Sequence, residues 1–264
     1  MFGFGRDVLL MQLGGLLCSG SQIILVTKLL GLGAAAVFSV ATKTLTMGQQ
    51  LIGRILESAA PGLTEMFVRG ERERFALRFY QMTAASLIPA TFLGIFLMGT
   101  NREFVSLWTH GKVEWNFLGD ALIGAILVST VASRCFQGAF GMTGDLGRVR
   151  YLALAEGIFL VITTLALGGR GGIAGILGIV LLSNILFSFM GGGLQVARTI
   201  PGRIFWQKIV WSLLAPYLLG VAACWWAGSF FVLPLPEMLT IIIWALVSGI
   251  FFFKMLGPFF CRKG

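Results

Sequence analysis

Apolar stretches recur along the whole chain, at residues of roughly 8–29, 34–60, 77–99, 117–140, 150–168, 172–197, 207–228 and 238–257. Each approaches or exceeds the ~20 mostly apolar residues that a helix needs to cross a bilayer. The connections between them are short, and are either polar or rich in Gly and Pro. The runs are continuous rather than ~10-residue alternations, so they predict helices and not a transmembrane barrel. The pattern therefore predicts an all-α polytopic membrane bundle of about eight transmembrane helices, with no room for a soluble domain.

Composition agrees with this reading. Of the 264 residues, 57% are hydrophobic and 12% charged, about half the ~25% charged share of soluble domains. That excludes a soluble enzyme, a disordered chain and a disulfide-stapled secreted domain. Cys18, Cys135 and Cys224 fall inside apolar runs and Cys261 sits in the tail, with no CxxC and one histidine, His110. A zinc or Cys/His catalytic site has almost no ligands to draw on, and no cofactor is expected. No cleavable signal is evident after Met1.

The net charge of +9 acts first as an orientation signal. With the N-terminus inside, Arg6, the cluster Arg69, Arg72, Arg74 and Arg78, then Arg148, Arg150, Arg198, Arg203, Lys208, Lys254, Arg262 and Lys263 fall on the cytoplasmic side. Lys28, Arg102, Lys112 and Arg170 fall outside. This bias predicts an even number of spans with both termini cytoplasmic. It also makes membrane lipid, and not nucleic acid, the expected anionic surface.

Lys43, Arg54 and Arg134 remain within spans, where charge is costly and faces a cavity or a partner. In the second span Lys43, Met47, Gln50, Arg54 and Glu57 follow at spacings of 4, 3, 4 and 3, which places them on one narrow stripe. Either the stripe lines a wet cationic path, or Arg54 and Glu57 simply pair at i,i+3. In the fourth span Thr130, Ser133, Arg134 and Gln137 share a face, with Asp120 toward the other end. Glu156 in the fifth span is a lone acid, read either as a proton or cation site or as the partner of Arg134. Trp108 and Trp115 flank His110 in the expected outside loop Asn101–Trp115 and read as interfacial belt residues. Gly171 and Gly175 form a small-xxx-small pair suited to close helix packing.

These pieces, in order, resemble the C-terminal half of polysaccharide-biosynthesis flippases in the multidrug/oligosaccharidyl-lipid/polysaccharide exporter superfamily. The likeness is carried by "SQIILVTKLLGLGAAAVFSVATK" (Ser21–Lys43), "AAPGLTEMFVRGERERFALRFYQ" (Ala59–Gln81), "REFVSLWTHG" (Arg102–Gly111), "CFQGAFGMTGDLGRVRYLALAEG" (Cys135–Gly157) and "GRGGIAGILGIVLLSNILF" (Gly169–Phe187). In that pattern an "LG" turn precedes a helix, a Pro (here Pro61) ends it, and a basic loop follows.

The resemblance implies a six-helix second lobe at residues 1–200, with two further helices and a basic cytoplasmic tail at 201–264. It implies a first lobe supplied from elsewhere, or a second copy in its place. The implied activity is flipping of a lipid-linked oligosaccharide, carried on polyprenyl pyrophosphate, across a bacterial inner membrane by alternating access. Lys43, Arg54 and Arg134 would then offset the anionic head group, while Gln50, Ser133 and Gln137 bond its hydroxyls. Glu57, Asp120 and Glu156 are candidates for coupling or charge pairing. A cation-coupled multidrug antiporter of the same superfamily is the alternative reading. A membrane-embedded polysaccharide-assembly enzyme or a scaffold ranks below both.

Overall fold

The computed structural model describes residues 2–110, 115–144 and 149–200. The spans expected at 207–228 and 238–257, and with them the 201–264 unit, lie outside the described residues. Within them every regular element is a helix: α1 (Phe2–Ala41), α2 (Lys43–Val68), α3 (Arg72–Trp108), α4 (Phe117–Thr143), α5 (Val149–Leu167), α6 (Gly172–Ser183), the π-helical π1 (Asn184–Gly191) and α7 (Gly192–Thr199). Five stretches are long and apolar enough to cross a membrane: Gly5–Val68, Arg72–Trp108, Phe117–Thr143, Val149–Leu167 and Gly172–Arg198.

The first stretch is two rods. Gly31 sits at φ 88°, ψ 173°, a region essentially closed to residues with a Cβ. It breaks α1 at the "LG" turn. Beyond it the helix passes through Thr42 without interruption, Thr42 N bonding Phe38 O at 3.0 Å and Thr46 N bonding Thr42 O at 3.1 Å. The second rod therefore runs from 32 to 68.

Two expected boundaries are corrected. Pro61 does not end α2, which continues to Val68; the stop is a Schellman turn, with Gly70 N bonding Phe67 O and Glu71 N bonding Met66 O, both at 3.1 Å, and Gly70 at φ 79°. The third helix does not end near residue 99 but runs to Trp108. Asn101 is accordingly a buried helical residue, not the start of a loop.

α3 and α4 form the centre, with Phe75, Phe79, Leu87, Ile95, Met98, Ile123, Leu127 and Phe140 fully buried. The 32–68 rod packs on this pair. The 2–30 rod instead packs most extensively on α5, and α6–π1–α7 seals the space between α4 and α5. Leu16, Ile24, Leu51, Leu107 and Ile162 point outward, an arrangement that suits lipid.

Glycine sets the α1–α5 pairing. A Cβ on Gly14 would lie 2.4 Å from the Ala153 carbonyl oxygen, and one on Gly157 would lie 2.7 Å from Leu17 Cβ. The expected close packing at Gly171 and Gly175 is not seen: Gly171 meets only Gly175 of its own helix start, and Gly175 has no neighbour within 4 Å. Gly14→Ala is therefore expected to cost about 1–3 kcal/mol by overpacking. Gly141→Ala, at an exposed site with nothing within 4 Å, should be neutral or stabilising. Thermal unfolding of the two variants in detergent checks this; equal midpoints would refute the packing argument.

Candidate functional site

The two rods diverge from Gly31, one toward α5 and the other toward α3 and α4, and a cleft of about 810 Å³ lies between them. That volume falls in the range of small-molecule sites. One wall comes from α1, with Gln12, Ser19 and Gln22. The facing wall comes from the second rod, with Ser39, Thr42, Lys43, Thr46 and Gln49. The floor is Thr130, Ser133, Arg134 and Gln137 of α4, Glu156 of α5, and Ser183, Asn184 and Ser188 of the α6–π1 rod.

Arg134 is exposed within this cleft, and its Nη1 donates to the Gln49 carbonyl at 3.4 Å. Gly53 permits the approach, since a Cβ there would lie 3.2 Å from the same nitrogen. Around Glu156 a hydrogen-bonded network joins three elements. The buried carboxylate accepts from Asn184 Nδ2 at 3.4 Å and from the Ser188 hydroxyl. Ser188 Oγ in turn accepts from Gln137 Nε2 at 3.4 Å. Ser133 Oγ reaches Ser129 O at 2.8 Å and Asn184 Oδ1 at 3.2 Å. The π-helical winding places Asn184 and Ser188, four residues apart, on the same carboxylate; such segments often accompany functional sites.

The expected pairing of Arg134 with Glu156 is absent. The acid is served by an amide and a hydroxyl, and Arg134 leans the other way, onto α2. Asp120 also stands elsewhere. It is buried and its Oδ1 accepts from Asn101 Nδ2 at 2.9 Å and Trp115 Nε1 at 2.6 Å, while Asn101 Oδ1 accepts from Thr44 at 2.8 Å. This cluster ties α2, α3 and α4 together and occupies Trp115. Asp120→Ala strands both donors, so a loss of about 1–3 kcal/mol is expected, with cleft chemistry unchanged. Denaturation in detergent, together with ligand binding by the surviving folded fraction, checks both halves.

The α2 stripe divides. Lys43 lines the cleft; Gln50, Arg54 and Glu57 do not, and all three are exposed. Arg54 Nη1 and Glu57 Oε2 pair at 3.0 Å. The stripe centres about 80° round the helix from the cleft-facing Ser39, Thr42, Thr46 and Gln49. Sequence reasoning missed Gln12, Ser19, Gln22, Asn184 and Ser188. Their signal was present as polar positions at spacings of 7 and 3 in the first span and of 4 in the sixth.

Among the described residues no group of three or more His, Cys, Asp or Glu side chains stands ready to hold a metal. No protein-family model matches the chain, and neither a curated protein nor a solved structure matches it.

Proposed function

We propose that the chain is a lobe of a membrane transporter that carries a lipid-linked oligosaccharide across the bacterial inner membrane for cell-surface polysaccharide assembly. The supporting observation is the cleft itself: a ligand-sized space between apolar helices, lined by two cationic side chains and many hydroxyl and amide groups. A pyrophosphate head suits Lys43 and Arg134, because charge-assisted hydrogen bonds to phosphate are among the stronger polar contacts. Sugar hydroxyls suit Gln12, Gln22, Gln49, Ser133 and Gln137. The lipid tail stays in the bilayer, outside the cleft. The cleft is one wall of a chamber, and a second body of similar size supplies the other. Rocking of the two would expose the head group to each side in turn.

Glu156 favours a second reading, a cation-coupled multidrug antiporter, since an acid facing a cleft suits cationic cargo. Deletion of the gene in the cell that makes this protein separates the two. Loss of surface polysaccharide with lipid-linked glycan accumulating on the cytoplasmic leaflet supports the flippase. Normal polysaccharide with new sensitivity to cationic drugs overturns it in favour of the antiporter.

A further inference from the structure

The stripe outside the cleft is unexplained by cargo binding. Thr44 is held level with the start of α4 through Asn101 and Asp120. From that level Arg54 lies about 15 Å along the rod, near the middle of a ~30 Å hydrocarbon layer. There Arg54 and Glu57 remain 81% and 65% exposed, with Gln50 exposed one turn away. Lipid cannot satisfy such a row, so it faces protein or water.

We infer that this stripe is the contact surface for a second copy of the chain, related by a two-fold axis along the membrane normal. The basic bias of the connections gives every copy one orientation, so paired stripes run parallel. About such an axis each residue stands level with its own counterpart. Gln50 then meets Gln50, and Arg54 of each protomer lies within one turn of Glu57 of the other. Level neighbours are alike, so the row complements itself in charge through these diagonal Arg54–Glu57 pairs across the axis. Lys43 belongs to both the stripe and the cleft, and Gln12, Ser19 and Thr46 are exposed at the cleft's edges. The second copy therefore closes the open side of the cleft. The inference concerns assembly and stands whichever cargo is carried.

Two differently tagged full-length copies, co-expressed and oxidised in native membranes, test it. Met47→Cys and Gln50→Cys should each give a disulfide linking the two tags above the wild-type background. Ile162→Cys, exposed on α5, should not. With Gln50→Cys as reporter, Arg54→Glu alone and Glu57→Arg alone should each lower the yield about fivefold, the factor for ~1 kcal/mol. Co-expressing an Arg54→Glu copy with a Glu57→Arg copy should restore the linkage between them. Each copy then carries two like charges, so the rescue arises only between copies and not within a helix. No cross-tag product from membrane-inserted protein, linkage to a different polypeptide, equal linkage through Ile162→Cys, or absence of rescue would each overturn the inference.

Discussion

Under the proposed function, Arg134→Ala is expected to reduce export of the lipid-linked glycan by about 10- to 100-fold, the factor for losing a ~1.5–3 kcal/mol charge-assisted contact. The protein should still reach the membrane in normal amount. The reason lies in how little the side chain does for the fold. It is exposed, and the hydrogen bond that it makes among the described residues is a 3.4 Å contact to the Gln49 carbonyl. Removing it strands no buried partner. Arg134→Lys keeps the charge but loses the planar fork that grips phosphate, so intermediate export is expected. Lys43→Ala, nearer the level of Thr44 and Asp120, should cost less, and the double variant should combine the two losses if they act at separate points of the head group. Surface polysaccharide, measured against membrane-inserted protein, reads all four variants. Wild-type export from Arg134→Ala would remove the cationic wall from the transport path.

The helices were legible because lipid-spanning segments need long apolar runs, and the break at Gly31 because "LG" punctuates two of them. The extensions to Val68 and Trp108 were not. Past its apolar run a helix turns polar, and hydropathy reads that part as a connection. Periodicity correctly placed Lys43, Gln50, Arg54 and Glu57 on one stripe, but a period carries no direction; only packing against α3 and α4 decides that the cleft receives Lys43 and leaves Arg54 outside. The face of Thr130, Ser133, Arg134 and Gln137 does line the cleft. The pairing of α1 with α5 depends on a notch at Gly14 matched by Ala153 and Gly157. Those residues lie far apart in the chain, and no local pattern joins them. The partner of Glu156 was misjudged for a similar reason: polar residues in π1 outcompete a more distant charge.

That correction leaves Glu156 as the remaining candidate for the coupling group of the proposed transporter. Glu57 is paired with Arg54, and Asp120 is enclosed by Asn101 and Trp115. Glu156 alone of the three lines the cleft, and its partners are neutral. Glu156→Gln preserves size; its amide oxygen can accept from Asn184 while its Nε2 donates to the Ser188 oxygen, so the bundle should fold. With the carboxylate gone, transport driven by an imposed proton or sodium gradient should fall at least about tenfold, a ~1.4 kcal/mol effect. Glu156→Ala should add a folding defect of about 1–3 kcal/mol, because the donors of Asn184 and Ser188 lose their acceptor. The contrast between the variants separates the roles. Vesicles containing the full-length chain, assayed with and without each gradient, make the measurement. If Glu156→Gln transports at the wild-type rate while Glu156→Ala unfolds easily, the acid is a structural hub that holds π1 against α4 and α5, and coupling lies elsewhere.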